Sequence, residues 1–263
     1  MPERGLWAYA VARTGDPLPE RLPGVDPGHP TVRVEAGSLA ALVSGVALAE
    51  YGEESLRRNL NDFPWLERVA RAHEAVLEQA LAGATLVPLR LCTIFEDEEA
   101  VRTMLRERAT DLTAALDALA GREEWTVKLL ADRAALERAA RAEAPGAEVA
   151  AAAGSGAAYM LGRRRDREVR EQAGQLATRL AEDVHARLRT GAVDAVIGRP
   201  QNRDLSGHEG EMLLNAAYLV DREAVGRLRE RVAELEAAHR AVGARLELRG
   251  PLPPYNFIPE APA

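Results

Sequence analysis

Only one cysteine, Cys92, occurs among the 263 residues. An internal disulfide is therefore impossible, and zinc sites built on several thiolates are excluded. Aromatic residues make up only 4% of the chain, while the hydrophobic fraction is 47%. The core must be assembled mainly from alanine, leucine and valine. No apolar run reaches the roughly 18 residues that a membrane-spanning helix requires. Positive charge is in deficit: 34 Lys and Arg face 41 Asp and Glu, for a formal charge of −7. That balance argues against an affinity founded on neutralising phosphates and offers nothing to an anionic bilayer. Pro2, Glu3 and Arg4 lead straight into a strand-like run, without the pattern of a signal peptide. The expectation is a cytoplasmic protein with neither nucleic acid nor membrane as a partner.

Catalytic patterns are missing as well. His73-Glu74 begins like a metalloprotease helix, but Leu77 stands where the second histidine is needed. On the apolar stripe of its helix, His73 reads as a satisfied core histidine. His29, His185, His208 and His239 have no metal-ligand spacing. Gly154-Ser155-Gly156 follows an alanine run and runs on to Tyr159, so it lacks the context of a phosphate loop and reads as a hinge between helices. Cys92 lies in an apolar stretch with nothing to activate a thiolate. No catalytic residue, metal or cofactor is expected.

The patterning is that of an α+β protein. Residues 5–12 read as a strand, and residues 14–30 as a proline- and glycine-rich loop. Val32–Val34 and Leu39–Leu48 form a hairpin, followed by a helix that Asp62 caps, with Leu66, Val69, His73, Val76, Leu77 and Leu81 on one stripe. Thr85–Leu91 reads as a strand with Pro88 at an edge or bulge, and Glu96–Glu99 open a further helix that ends at Gly121. The rest is a β-α-β-β-α-β succession. It comprises strands at 125–129, 193–197, 212–220 and 244–249, a helix from 134 to 144, a long helix from 166 to 189, and one that Asp221 caps. This is the order of a ferredoxin-like sandwich, an antiparallel sheet with helices on one face. The expected division is an N-terminal α+β domain, 1–121, as a modified ferredoxin-like arrangement, and a C-terminal ferredoxin-like domain, 122–263, carrying a proline-rich tail.

Two features stand out as candidate partner contacts. After the last strand, Gly250-Pro251-Leu252-Pro253-Pro254 forbid further ladder or helix and present Tyr255, Phe257 and Ile258 on a stiff segment. Such a tail either packs on its own protein or binds a partner. Arg163, Arg164 and Arg165 form the densest positive cluster, placed at a helix entry. They read either as a solvated face paired with Glu168 and Glu171 or as a dock for an acidic partner.

Several segments, in order, resemble the gas vesicle protein F/L family. Gly5-Leu6-Trp7-Ala8-Tyr9-Ala10-Val11 looks like that family's opening aromatic strand. His73-Glu74-Ala75-Val76-Leu77 and then Val87-Pro88-Leu89-Arg90-Leu91-Cys92-Thr93 look like its helix and "PLRFGT" segment. Glu124-Trp125-Thr126-Val127-Lys128, Ala216-Ala217-Tyr218-Leu219-Val220 and the Gly-Pro-x-Pro-Pro-Tyr-x-Phe ending complete the set. Leu91-Cys92 depart from the family's Phe-Gly. The resemblance implies two modified ferredoxin-like domains and an accessory structural protein of gas vesicles. Such a minor component binds the small hydrophobic major shell protein and keeps it from aggregating during nucleation and assembly. The alternative is a small-ligand-binding or enzymatic ferredoxin-like domain, since fold alone does not fix function.

Overall fold

The computed structural model describes residues 4–19, 21–143, 155–199 and 210–258. The chain divides into two compact units, Met1–Arg122 together with Leu252–Ala263, and Glu123–Pro251. The sequence division at residue 121 leaves the tail with the second unit. In the structure the chain returns to the first, because Pro253 and Pro254 are buried and Tyr255 packs against that unit's core.

The first unit contains β1 (Arg4–Arg13), β2 (Thr31–Ala36), β3 (Leu39–Ala47), α1 (Leu48–Tyr51), α2 (Glu53–Asn59), α3 (Phe63–Leu81), β4 (Val87–Pro88), β5 (Ile94–Phe95), α4 (Glu98–Glu107) and α5 (Ala109–Leu119). Its strands lie in the order β2-β3-β1-β4, with β5 also on β1, and every pairing is antiparallel. The β1–β3 register slips between Ala8 and Ala10. The slip turns Trp7, Tyr9, Ala10 and Ala12 toward one cluster, with Val69, Val76 and Leu77 of α3. β1 is buried at every position from Trp7 to Ala12, so both of its faces are covered, as its unbroken apolar run requires. Helices α4 and α5 pack on β1–β3 and bury Val101, Leu105, Leu112, Leu116 and Leu119.

In the second unit, β6 (Arg122–Ala131), α6 (Arg133–Glu143), α7 (Ser155–Arg189), β7 (Asp194–Ile197), β8 (Glu211–Asp221), α8 (Val225–His239) and β9 (Ala244–Leu252) follow in turn. The sheet order is β7-β8-β6-β9. Numbered within each unit, both sheets read 2-3-1-4, the ferredoxin-like order. In the first unit the loop at residues 14–30 stands where the second has α6 and α7.

Local details depart from the sequence reading for identifiable reasons. The expected strand Thr85–Leu91 shortens to β4, and a turn in which Cys92 has φ of 69° separates it from a further short strand, β5. The expected helix after Asp97 breaks at Arg108, whose backbone leaves the helical region. Asp97 accepts from the Ala100 amide, whereas Asp62 and Asp221 occupy cap positions without a side-chain bond to the helix amides they precede. Helix α7 begins eleven residues before the expected Asp166, and β9 continues through a cis Gly250-Pro251 bond to Leu252. The expected helix stop at Pro145-Gly146, the alanine run to Gly154 and the bulk of the polar loop 199–210 lie outside the described residues.

Candidate functional site

The sequence-predicted tail residues converge on the first unit. The stripe of α3 carries His73 inward, and β1 brings Trp7 beneath it. The Trp7 indole N–H donates to His73 Nδ1 at 3.0 Å. That bond makes Nδ1 an acceptor, so the neutral ring carries its proton on Nε2. Nε2–H then donates to the Tyr255 hydroxyl at 3.1 Å, and that hydroxyl donates onward to Glu74 Oε1 at 3.4 Å. The ring of Tyr9 stacks on His73 with centroids 5.2 Å apart, and Trp7 meets Tyr51 edge-on at 5.9 Å. Burial holds the His73 pKa down to about 4, which keeps the ring neutral and the donor sequence intact. Burial likewise raises the Glu74 carboxyl and the Tyr255 phenol. The relay fastens the tail to α3 and β1. Phe257 and Ile258 are half-buried beyond it, and Tyr255–Phe257 form a single tight helical turn.

A second buried network fixes the proline-rich loop. The Val25 amide donates to the Tyr9 hydroxyl at 2.9 Å, Tyr9 and Ser44 Oγ lie 2.7 Å apart, and the Tyr51 hydroxyl donates to the Val25 carbonyl at 3.1 Å. Gly24 is required beside it, since a Cβ there would meet Ser44 Oγ at 2.4 Å. None of these polar partners was legible in the sequence, because each pair is separated by at least sixteen residues with no motif joining them.

The arginine cluster is elsewhere. Arg163, Arg164 and Arg165 sit in the third turn of α7 rather than at its entry, and residues 162–168 are all exposed. Arg164 pairs with Glu168 and Arg167 with Glu171, each at 3.0 Å and at helical spacing. With the exposed Met160, Arg163, Arg164, Arg167 and Arg170 border an open groove. A second groove of about 380 Å³ runs between α6, α7 and the start of β8, floored by Leu136, Ala173, Ala177 and Met212. The arginines and the tail residues belong to different units. Sequence reasoning missed the exposed apolar side chains Phe63, 77% exposed, on the first unit, and Val193, Val196 and Ile197 along β7. Their residue types suggested interior positions.

Among the described residues, no group of three or more His, Cys, Asp or Glu side chains could hold a metal ion, and no helix is long and apolar enough to cross a membrane. Cys92 is half-buried in its turn, and burial raises its thiol.

The family model described as gas vesicle synthesis protein GvpL/GvpF matches residues 5–259. Gas vesicle protein L of Streptomyces sp. (strain CB03234) is 36% identical over 97% of this chain and 93% of its own length. Gas vesicle protein F of the same strain is 31% identical over 96% of this chain and 98% of its length. The crystal structure of the gas vesicle protein GvpF from Anabaena sp. PCC7120 superposes with a TM-score of 0.71 at 22% identity, covering 98% of this chain and 97% of that one. At that identity the likeness establishes the fold.

Proposed function

The chain belongs to the gas vesicle GvpL/GvpF family, an accessory group of gas vesicle proteins, and from this premise we propose that it binds the hydrophobic major shell protein and keeps it from aggregating during nucleation and assembly. The observation that carries the reading is the family match over residues 5–259. Physical chemistry supports it. A shell subunit with exposed apolar surface aggregates unless that surface is covered. This protein displays isolated apolar side chains, Phe63, Ile197 and Met160 at 77%, 60% and 67% exposure, on a surface otherwise laced with ion pairs. Phe257, Ile258 and the arginines at 163–165 are proposed contacts. Tyr255 contributes by holding the tail in place.

Co-expression with a small gas vesicle shell protein tests the reading. The shell protein should remain soluble and co-purify specifically. A shell protein that aggregates equally with and without this chain would refute the proposal. Replacing Arg163, Arg164 and Arg165 by Glu should weaken co-purification at low salt if the arginines take part; unchanged recovery removes them from the contact.

A further inference from the structure

We propose that one face of α7 is a self-association surface, on which a second copy of the chain packs antiparallel around a two-fold axis near Ala173. The face begins with Met160, Arg163, Arg164 and Arg167 at the open groove. It continues past Arg170 into the groove between α6, α7 and β8, over Ala173, Gly174 and Ala177. It ends at Glu182, which shares the far rim of that groove with Glu211 of β8. Steps of three and four residues keep the α7 side chains on one side of the helix. One end is therefore basic, the other acidic, and an apolar groove lies between them. All of these residues belong to the second unit.

The order of charges names the occupant. A uniformly acidic partner that satisfied the arginines would meet repulsion from Glu182 and Glu211. Neither glutamate is engaged in an ion pair among the described residues, while Arg133 on the same rim is held by Glu137 at 3.5 Å. At the basic end Arg164 and Arg167 meet Glu168 and Glu171 in exposed pairs, which contribute little by themselves. Arg170 donates to the Asp166 carbonyl rather than to a carboxylate. The face fits a surface with the opposite order of charges, and it has that order itself when turned end for end. Two-fold symmetry thus makes it complementary to itself. Arg164 and Glu182 lie about 27 Å apart along the helix axis, and the residue midway between them is Ala173. Antiparallel pairing at that point sets Arg164 of each copy against the partner's Glu182. Gly174 stands beside the midpoint. A Cβ there would meet nothing within 4 Å, so no contact inside the chain calls for glycine, and glycine weakens a helix interior. A second helix crossing at this point uses the missing side chain to come close.

Sedimentation equilibrium of the full chain provides the test. The weight-average mass should climb toward twice that of one chain as concentration rises, and fall back in high salt, which screens exposed charges. Two variants reverse one end each: Arg163→Glu with Arg164→Glu, and Glu182→Arg with Glu211→Arg. Each should self-associate about ten-fold more weakly than the wild type, because like charges then face one another. Mixed in equal amounts the two should associate again, since one is acidic at both ends and the other basic at both. Gly174→Leu should abolish association while raising the thermal midpoint, since leucine favours the helix and blocks the close approach. A wild type that stays monomeric at every concentration overturns the proposal. So do reversed or Gly174→Leu variants that associate like the wild type, and a mixture that does not recover. Glu182→Arg with Glu211→Arg leaves the arginines in place, so it should lose self-association while still recovering the shell protein. Failure here is thus read separately from failure of the assembly role.

Discussion

The two units share a strand order and differ in how they are closed. β1 and β6 hold the same place in their sheets, and each carries a buried tryptophan, Trp7 and Trp125. Trp7 lies under a fully buried strand and donates inward to His73. Trp125 lies on a strand that alternates buried Val127 and Leu129 with half-buried Thr126 and Lys128. Its indole donates outward to Glu123 at 3.1 Å, and the Arg229 guanidinium covers its ring at 4.9 Å. One sheet is thus sealed on both faces and stitched by buried polar pairs, while the other has a conventional core on one side and a charged cover at its edge. The same topology accommodates both because strand order is set by connection geometry, whereas closure is set by what each face must bury.

Substitutions should separate the two closures. Trp7→Ala removes a fully buried indole and leaves His73 Nδ1 unsatisfied. It should cost about 3–5 kcal/mol for the cavity, with about 1–3 kcal/mol more for the orphaned acceptor. Trp125→Ala should cost less, since Glu123 keeps its pairing with Arg222. Urea unfolding of both variants checks the order; equal losses would erase the distinction.

Acid should discriminate next. His73 titrates at about 4 in the fold against 6.5 in the unfolded chain. Between those values the unfolded chain binds more protons, so the contribution is complete above pH 6.5 and is lost as pH falls toward 4, by about 3 kcal/mol at 1.4 kcal/mol per unit. Glu74, raised by burial, acts with the opposite sign as pH climbs past its unfolded value of 4.5. The Glu74→Gln variant lacks that opposing contribution, so its own pH dependence shows the histidine's. Amide exchange should show β1 losing protection before β6 and β8 on acidification. His185, lowered by a shallower burial beside Tyr218, should give the second unit a weaker form of the same response.

Tyr9→Phe should follow, at about 1–3 kcal/mol, by leaving the Val25 amide and Ser44 without their shared hydroxyl. Chemical denaturation would show it, and a neutral result would mean that water replaces the hydroxyl. Arg229→Ala should be milder, about 0.5–1 kcal/mol, since it uncovers a ring that Glu123 still holds. Cys92→Gly should do least and in the other direction. The residue sits at φ 69°, where glycine is at ease, so a small gain, under about 1 kcal/mol, is expected in thermal midpoint.

That last position shows what was readable. The departure at Leu91-Cys92 from the family's Phe-Gly was visible in the sequence, but its meaning was not. Thr85 to Leu91 is apolar enough to read as one strand, and only the backbone reveals that β4 stops at Pro88 and that a left-handed turn at Cys92 precedes β5. The ferredoxin-like order was legible because period-two and period-3.6 stretches alternate plainly from Trp125 onward. Both-face burial of β1 was implicit in its unbroken apolar run. A packed tail was the favoured reading of its composition, ahead of a partner-bound one. Its anchor was not legible, since Tyr255 and His73 are 182 residues apart and a tyrosine carries no mark of its partner.

Asp194 has a consequence of its own. It heads β7, the outer strand of the second sheet, where Val193, Val196 and Ile197 are exposed. Its carboxylate takes the Ala195 amide at 2.8 Å, an amide that an added strand would otherwise claim. One side chain thus takes up one of the edge donors that an added strand would use at this rim. Wherever subunits rich in apolar strands crowd together, a molecule that could be recruited as the next rung would seed the deposit. Asp194 makes this rim a poorer template while Val193, Val196 and Ile197 stay exposed for contact.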